Sequence, residues 1–353
     1  MSVEQRITQA WQNNSLWLNL LRPLSWLFRL LSAARRAHLQ SRYQGRRFSA
    51  PVVVVGNVSV GGSGKTPLIV VLVDALKQRG FSPGVVSRGY GGKANNSYPL
   101  AVTSQTPVSE SGDEPLLIAK LTQCPLVVDT DRRAAVTYLL SHYDCDVVLS
   151  DDGLQHYSMH RDIEIVVVDG QRGFGNGLCL PAGPLRESPG RAQQADFVVV
   201  NGGANTMPLN IAKMACETMS IAPRRMTQLL SGASQSIEQW HLLQPVKRVH
   251  AVAAIGNPRR FADTLAELGL DAELHCYDDH QALTAANLTF DDDLAVIITA
   301  KDAVKIMLSE SNPIAENIWV LDVEAVIESV FIDKLVAQLQ ALNATQSKQI
   351  LDR

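Results

Sequence analysis

Cysteine is scarce in this sequence of 353 residues, which contains five. They are scattered along the chain: Cys124, Cys145, Cys179, Cys216 and Cys276. Because their number is odd and no pair has metal-ligand spacing, we expect neither a disulfide framework nor a zinc–cysteine site. They are typical of reduced, mostly buried side chains in a cytosolic protein. His156 and His160 lie four residues apart without a third ligand at zinc spacing, so these histidines predict no metal site.

The sequence also lacks a large excess of charge and a long apolar run. The formal net charge is −3, which argues against general nucleic-acid binding. In residues 15–33 the apolar stretch is interrupted by Arg22, Pro23 and Arg29, well short of the ~20 residues that a membrane span needs. A short apolar segment followed by a small-residue cleavage site is not found near the N-terminus, so we expect no secretory signal.

Positive charge and tryptophan are instead concentrated at the N-terminus. Residues 1–50 contain eight arginines, one acid (Glu4) and three of the five tryptophans. Tryptophan favours the headgroup boundary of a bilayer, and each cation near anionic lipid contributes about 1 kcal/mol. We therefore predict that residues 10–48 make a peripheral or monotopic contact with an anionic membrane surface through an amphipathic helix. Docking of this segment on the protein's own core is the alternative, and the two are compatible because opposite faces can serve them.

The most informative stretch is residues 52–66. Four consecutive valines, from Val52 to Val55, suit a strand buried on both faces of a parallel sheet. A glycine-rich loop follows and ends at Lys65 and Thr66, which would reach the terminal phosphates of a nucleotide and hold Mg²⁺, respectively. We predict a phosphate-binding loop made of eight consecutive residues: Ser59, Val60, Gly61, Gly62, Ser63, Gly64, Lys65 and Thr66.

This loop departs from the general pattern at one position, because Ser59 stands where the first glycine is usual. A glycine-rich turn with an incidental lysine is the alternative interpretation. The following helix favours the phosphate loop, since Pro67 suits a first helical turn and Gly80 suits its left-handed end. Such a helix points free N–H groups and the positive end of its dipole at an anion.

Two adjacent acidic residues indicate where a Mg²⁺ ion would bind. An apolar strand beginning at Val147 ends in Asp151 and Asp152. The carboxyl end of a strand parallel to the phosphate-loop strand is where nucleotide-hydrolysing proteins place their Mg²⁺-organising carboxylate. A merely polar strand end is the alternative. Asp113, at the start of an apolar helix, is interpreted from its local context as a helix cap.

Alternating strand and helix patterns predict an α/β protein. We expect an N-terminal membrane-contact segment at 1–48, a parallel-sheet core with the phosphate loop at 49–203, a smaller α/β domain at 204–330, and a C-terminal helix and tail at 331–353, for which packing back on the core and standing apart from it are both open. A linker is predicted at 202–208, and the last helix is predicted over 324–341. Residues 170–190 are dense in glycine and proline and predict a long irregular loop.

Several stretches together resemble the tetraacyldisaccharide 4′-kinases of lipid A biosynthesis. The similarity runs in order over roughly residues 15–330. Its motifs are residues 57–67, 87–91, 112–115, 150–156, 180–187, 253–256, 279–280 and 301–304. Serine at position 59 is normal within this family. The ordered set is highly specific, although no single motif decides it.

The resemblance implies ATP-dependent phosphorylation of the 4′-hydroxyl of an acylated glucosamine disaccharide 1-phosphate, giving the 1,4′-bisphosphorylated lipid A precursor at the cytoplasmic face of the bacterial inner membrane. It implies that Asp113 is the catalytic base and that His280 assists it from the second domain. It also implies that Asp151 and Asp152 are Mg²⁺-associated. Four further residues match positions expected to line the site or contact substrate: Arg132, His156, Arg186 and Glu187.

Two other classes of function remain as alternatives. One is a P-loop GTPase, or an ATPase of the assembly-chaperone kind, although Lys301 and Asp302 are adjacent and lack the Asn/Thr-Lys-x-Asp spacing of a guanine reader. The other is a nucleotide-binding membrane adaptor without chemistry, which would have no use for an Asp113–His280 pair.

Overall fold

The computed structural model describes residues 3–13, 15–43, 45–92, 98–202, 211, 214–244, 246–306 and 317–351. The strands are β1 (Val52–Gly56), β2 (Pro83–Ser87), β3 (Leu100–Ala101), β4 (Leu126–Val128), β5 (Val147–Asp151), β6 (Ile163–Asp169), β7 (Phe197–Asn201), β8 (Glu217–Gln228), β9 (Ser234–Ser236), β10 (Arg248–Ala253), β11 (Asp271–Cys276), β12 (Val296–Thr299) and β13 (Ile318–Ile327).

The α-helices are α1 (Val3–Gln12), α2 (Arg22–Tyr43), α3 (Lys65–Gln78), α4 (Val108–Ser111), α5 (Asp113–Thr122), α6 (Arg132–His142), α7 (Ile237–Leu243), α8 (Pro258–Glu267), α9 (Ala300–Ala303) and α10 (Ser329–Leu351). Short 3₁₀ helices lie at Leu16–Leu21, Pro189–Gln194 and Ala285–Leu288. Among the described residues, no helix is both long enough and apolar enough to cross a bilayer.

All thirteen strands belong to one sheet, with the order β11-β10-β12-β13-β8-β7-β6-β1-β5-β2-β4-β3 and β9 paired with β8. Strand β1 lies between β5 and β6 and is parallel to both. The two halves of the sheet join where β8 pairs in parallel with β7 and antiparallel with β13. The predicted α/β class with a parallel sheet around the phosphate-loop strand is confirmed.

Helices cover both faces of the first half of the sheet. Val52 to Val55 are fully buried and alternate between two cores, as a strand covered on both faces requires. One core contains the apolar side of α3 together with residues of α10 such as Phe331 and Leu335. The C-terminal helix therefore packs on the same face as α3. The other core includes Leu139 of α6 and the start of the irregular loop after β6.

The second half of the sheet has two cores of its own, on the two faces of β10, β12 and β13. The boundaries assigned to the domains from sequence stay predictions, and from residue 203 onward the predicted linker lies outside the described residues. The predicted helix start at residue 324 is wrong. Strand β13 continues to Ile327 because it pairs with β8 as far as Met219, and α10 begins at Ser329.

The N-terminal segment docks through one face only. Ser25 of α2 is buried, donates to the carbonyl of Cys179 (2.7 Å) and accepts from the backbone N–H of Ala182 (3.0 Å). Trp11 donates to the carbonyl of Pro181 (3.0 Å). The opposite face exposes large apolar side chains: Leu16, Leu20, Leu24, Trp26, Leu27, Leu30 and Leu31.

Candidate active site

A cleft of about 1320 Å³ lies at the carboxyl ends of the strands of both halves of the sheet. Its walls include the phosphate loop, the ends of β5 and β7, the loops after β10 and β12, and part of α2. Crevices at the carboxyl ends of parallel strands are the usual ligand sites of open α/β sheets. Most residues singled out from sequence line this cleft: Val60, Gly61, Gly62, Ser63, Gly64, Lys65, Thr66, Arg132, Asp151, Asp152, His156, Arg186, Glu187 and His280.

Ser59 and Asp113 are the two predicted residues outside that lining set. Ser59 forms an isolated β-bridge with Leu185, and the backbone N–H of Arg186 donates to the carbonyl of Val58 (2.7 Å). The loop at 180–187 therefore braces the start of the phosphate loop. Asp113 lies just behind the wall, where it contacts a lining residue, His280.

The phosphate loop has the backbone that its glycines permit. Gly61 and Gly64 have φ values of 92° and 91°, in the left-handed region that glycine tolerates. The side-chain amide of Asn201 donates to the carbonyl of Ser63 (3.0 Å), and a Cβ at Gly64 would lie 2.2 Å from that amide nitrogen. Glycine at position 64 is therefore required both by conformation and by this close approach.

Lys65 meets an acid at the bottom of the cleft. Its Nζ lies 3.5 Å from Oδ1 of Asp152, and Nη1 of Arg186 lies 3.2 Å from Oδ2 of the same carboxylate. Burial raises the pKa of Asp152, but the two cations outweigh it and lower that pKa to about 2. Asp152 has a φ of 47°, a conformation that non-glycine residues seldom adopt and that concentrates at functional sites.

Asp151 is placed differently from its neighbour. Its carboxylate is buried, with Oδ2 accepting from the hydroxyl of Ser87 (2.9 Å), while Oδ1 has no hydrogen-bond partner among the described residues. Burial and the negative charges of Glu114 and Asp152 raise the pKa of Asp151 well above its usual value. A buried carboxylate oxygen without a partner is costly unless a cation or water satisfies it.

An acid–imidazole pair joins the two halves of the sheet at the cleft. Nδ1 of His280 lies 2.9 Å from Oδ2 of Asp113, which is the first residue of α5. Oδ1 of Asp113 accepts from the backbone N–H of the next residue, Glu114 (2.9 Å). The cap predicted from the local sequence is wrong, because Gly112 holds the N-cap position of α5, without a side-chain cap hydrogen bond, and Asp113 is the first helical residue. His280 has a φ of 64°, and the ring of Tyr90 lies 5.1 Å from its ring.

Lys301 gathers three acids around this pair. Its Nζ lies 3.0 Å from Glu114, 3.3 Å from Asp279 and 3.7 Å from Asp113. Burial raises the pKa of Asp113, but the hydrogen bond from His280 and the charge of Lys301 outweigh it and hold that pKa below its usual value. The same hydrogen bond raises the pKa of His280. The pair is therefore electrostatically biased towards carboxylate and imidazolium.

Arg132 and His156 are neighbours, and the guanidinium of Arg132 is engaged at both Nη atoms, while its buried Nε has no hydrogen-bond partner among the described residues. The buried guanidinium of Arg132 donates to the carbonyls of Asp129 (2.7 Å) and Asp151 (3.2 Å). Burial lowers its pKa to about 10, so it stays charged at neutral pH. The backbone N–H of Arg132 donates to Nε2 of His156 (3.3 Å). Burial and the charge of Arg132 lower the pKa of His156 to about 4, which makes it a neutral imidazole.

Glu187 is held by three polar side chains. Its carboxylate accepts from the hydroxyl of Tyr157 (2.5 Å) and the amide of Gln155 (3.1 Å), and Arg191 lies 3.9 Å away. Burial and the charge of Glu187 raise the pKa of Tyr157 to about 12, so the phenol remains a donor. Glu187 is therefore oriented at the edge of the cleft beside α2.

Sequence reasoning missed four residues that hold the phosphate loop, of which Arg260 comes from the second half of the sheet. Arg260 donates to the amide oxygen of Asn201 (2.7 Å), and that amide in turn holds the Ser63 carbonyl. Arg172 donates to the carbonyl of Gly62 and pairs with Asp169 (3.1 Å). Asp169 ends β6, the neighbour of β1, and Asn201 ends β7, the next strand outward, and these strand-end positions were the available signal. The arginines carry no local signal, because their partners are distant in sequence.

Lys301 and Ser87 were also missed as site residues, although both lie in motifs noted above. Each follows or ends a short strand at the carboxyl edge of the sheet. Asp151 and Asp152 were selected because they follow the carboxyl end of a strand. The same criterion, used for β2 and β12, would also have selected Ser87 and Lys301.

Comparison with known proteins identifies the family. A profile of the family LpxK, tetraacyldisaccharide-1-P 4'-kinase, matches residues 17–340. The tetraacyldisaccharide 4'-kinase of Hahella chejuensis is 44% identical over 96% of this chain and 97% of its own. That of Alcanivorax borkumensis is 44% identical over 95% of this chain and 97% of its own.

The fold agrees with a solved structure of the same family. LpxK from Aquifex aeolicus, crystallised in complex with ATP, superposes with a TM-score of 0.73 at 25% identity, covering 92% of this chain and 99% of its own. The family predicted from sequence motifs is confirmed. This chain belongs to the tetraacyldisaccharide 4'-kinase family.

Proposed function

We propose that this protein transfers the γ-phosphate of ATP to the 4′-hydroxyl of a tetraacylated glucosamine disaccharide 1-phosphate, yielding the 1,4′-bisphosphate. The observation that carries this proposal is that His280, which contacts Asp113 directly behind it, lines the same cleft as the phosphate loop. Such an arrangement lets one wall bind the donor while the other activates the acceptor. The proposal rests on this geometry together with membership in the kinase family.

On the donor side, the phosphate loop leads directly into the start of α3, where the free backbone N–H groups of the first helical turn would bind phosphate oxygens. Lys65 would leave Asp152 and contact the terminal phosphates of ATP, because a polyphosphate competes effectively for an ammonium ion. Arg186, which already lies against Asp152, supplies a second cation at that point. Together they would neutralise charge that develops on the transferred phosphoryl group.

On the acceptor side, Asp113 would accept the proton of the sugar 4′-hydroxyl while the hydroxyl oxygen forms a bond to the γ-phosphorus. The bond between that phosphorus and the bridging oxygen breaks, and ADP leaves. His280 orients the carboxylate, and proton transfer of this kind contributes about 10²–10⁴-fold in rate. Because the pair draws on both halves of the sheet, its assembly would depend on a closed cleft.

The residues at the end of β5 fit a Mg²⁺ ion. Oδ1 of Asp151 is buried and without a hydrogen-bond partner among the described residues, which is the chemistry that a hard cation satisfies. We propose that Asp151, Asp152 and Thr66 hold this ion. When bound, Mg²⁺ neutralises charge on the phosphate oxygens. Arg132 supports Asp151 through its carbonyl and acts as a positioning residue rather than a direct substrate ligand.

The acyl chains of the acceptor indicate where the reaction occurs. The cleft reaches α2 at Phe28, Ser32 and Arg35, and the apolar face of that helix is exposed. We propose that this face rests on the cytoplasmic leaflet of the bacterial inner membrane, so that the disaccharide enters the cleft while its chains stay in lipid. Nucleic acid is not a proposed partner.

The decisive test of activity is transfer of label. Purified protein is incubated with [γ-³²P]ATP, Mg²⁺ and the disaccharide 1-phosphate in detergent, and the lipid fraction is examined for ³²P. We expect wild type to form labelled lipid and Lys65→Ala to form none. Release of inorganic phosphate alone, at a rate that the acceptor does not change, would instead favour a nucleotide hydrolase.

A further inference from the structure

Two strands at the edge of the sheet carry a cluster of metal-ligating side chains away from the cleft. His250 on β10 is in register with Glu273 on β11, and Val252 is in register with His275. Successive residues point to opposite faces of a strand, so residues 250, 273 and 275 share one face. None of the three lines the cleft. The proposed kinase reaction leaves this cluster unused.

The ligand atoms of these three side chains are close enough to share one ion. One nitrogen or oxygen from each lies within 4.8 Å of the others. Nδ1 of His250 and Nε2 of His275 are 3.0 Å apart. Two nitrogens bound to a tetrahedral zinc ion at about 2.0–2.1 Å would be about 3.3 Å apart. Binding therefore needs only a few tenths of an ångström of ring movement.

A carboxylate orients the buried histidine for this task. Nε2 of His250 lies 3.1 Å from Oδ1 of Asp292, so its proton is held there and Nδ1 presents its lone pair to the cluster. The ring of Phe290 stacks on His250 at 3.7 Å and fixes its plane. A carboxylate on the far nitrogen of a histidine is the usual outer support of zinc-binding histidines.

The remaining two side chains are free to complete a coordination sphere. His275 is partly exposed on β11, and its Nε2 already lies within 3.0 Å of Nδ1 of His250. Glu273 pairs with Arg248 at 3.2 Å, but both side chains are at least half exposed, so this pair contributes little and the carboxylate can turn.

We propose that His250, His275 and Glu273 form a binding site for a divalent transition-metal ion, of which Zn²⁺ is the best match. Two imidazoles and one carboxylate are donors that zinc accepts, whereas Mg²⁺ prefers oxygen ligands alone. The ion would tie β11, the outermost strand, to β10. This site is separate from the Mg²⁺ site proposed for phosphoryl transfer.

The test measures metal stoichiometry on tag-free full-length protein that has been stripped with a chelator. Co²⁺ and Zn²⁺ are titrated with the cleft saturated by ATP and excess Mg²⁺, using Co²⁺ absorbance and a competing zinc indicator. Wild type is expected to bind one equivalent of Zn²⁺ that Mg²⁺ does not displace. His275→Ala should lose this equivalent, and Asp292→Asn should weaken it at least about tenfold.

Matched controls separate loss of a ligand from loss of structure. His142→Ala removes an exposed histidine from α6 and should keep the equivalent of Zn²⁺. Kinase turnover of His275→Ala should equal that of wild type, which reports an intact fold without involving the cluster. The proposal is overturned if wild type binds no such equivalent of Zn²⁺, or if His275→Ala keeps it. The contact of 3.0 Å between the two histidines would then be an ordinary hydrogen bond.

Discussion

His280 and Asp113 are 167 residues apart in the chain, and their side chains meet at 2.9 Å. Asp113 belongs to the half of the sheet that carries the phosphate loop, and His280 to the half that follows β8. The contact therefore links folding of the two halves to assembly of the proposed catalytic pair. It also makes the pair testable by substitutions that leave the phosphate loop intact.

Asp113→Asn should abolish most turnover while ATP still binds. The amide keeps the size of the side chain and can still accept from the Glu114 N–H, but it cannot take the acceptor proton. We expect kcat to fall by about 10²–10⁴-fold, with the affinity for a fluorescent ATP analogue unchanged. Asp278→Asn, an exposed carboxylate outside the cleft lining, is the matched control. If Asp113→Asn does not fold, the carboxylate serves the stability of the fold, and the catalytic assignment is contradicted.

The Asp113–His280 pair should stabilise the protein within a defined pH window. The pKa of Asp113 is lowered from 3.8, so its contribution is present above that value and is lost as pH falls through the folded pKa. The pKa of His280 is raised from 6.5, so its contribution is complete below that value and is lost as pH rises through the folded pKa. The stabilisation is therefore greatest between about pH 4 and 6.5.

His280→Asn tests this window, because asparagine tolerates the φ of 64° at this position. The difference in Tm between wild type and variant should be largest near pH 5.5 and smaller at pH 9. Differential scanning fluorimetry across pH gives the comparison. A difference that stays constant with pH would contradict the ion-pair description.

Lys301 should act on the rate through the charge that it places beside Asp113. Lys301→Met leaves Glu114, Asp279 and Asp113 without their shared cation, so the pKa of Asp113 should rise and the acid limb of the kcat/KM profile should move to higher pH. Lys334→Met is the control, because Lys334 on α10 forms an exposed ion pair with Glu217 on β8, and this variant should leave the profile unchanged. An unmoved acid limb in Lys301→Met would show that this lysine has no electrostatic influence on the base.

Asp151→Asn should stabilise the metal-free protein while lowering turnover. A buried carboxylate with a raised pKa destabilises the fold increasingly as pH rises from 3.8 and fully above its folded pKa. The variant should therefore melt a few degrees higher than wild type at pH 8 without Mg²⁺, and the gain should shrink at pH 5. Added Mg²⁺ and nucleotide should stabilise wild type more than the variant. A lower Tm for the variant at pH 8 would argue against a strained, metal-seeking carboxylate.

The exposed face of α2 should govern binding to vesicles. Leu27→Glu combined with Leu30→Glu removes two exposed leucines, each worth about 1.5–3 kcal/mol if fully buried. We expect the affinity for vesicles that contain anionic phospholipid, measured by co-sedimentation, to fall at least about tenfold. Leu242→Glu, on the exposed side of α7, is the control and should bind as wild type does. Unchanged sedimentation of the double variant would remove α2 from the membrane contact.

The elements around β1 were predictable because their signals are local. Four valines, a glycine-rich loop and an apolar helix follow one another, and the acids at the end of β5 lie on the same edge for reasons of sheet geometry. Strand β8 was not predictable, because it includes Pro223, is mostly half-exposed and is paired with a strand about a hundred residues away. The start of α10 was mispredicted for the same reason, because pairing with the distant strand β8 keeps the chain in β13 extended up to Ile327.

The side-chain constellation was only partly accessible from sequence. The contact between Asp113 and His280 was expected from family resemblance and not from any periodicity. The convergence of Lys301 on three acids, and the bridge from Arg260 through Asn201 to the phosphate loop, depend on how the two halves pack. Local patterns carry no information about such contacts.

The central claim is that one cleft carries a phosphate from ATP to a sugar hydroxyl at the 4′ position. The most direct measurement is ³¹P NMR of the lipid product, made from the natural acceptor and, in parallel, from its 4′-deoxy analogue. We predict a new phosphomonoester signal coupled to the proton at C4′ with the natural acceptor, and no new lipid signal with the analogue. A phosphorylated lipid from the 4′-deoxy acceptor, or a phosphate on any other carbon, would contradict the account.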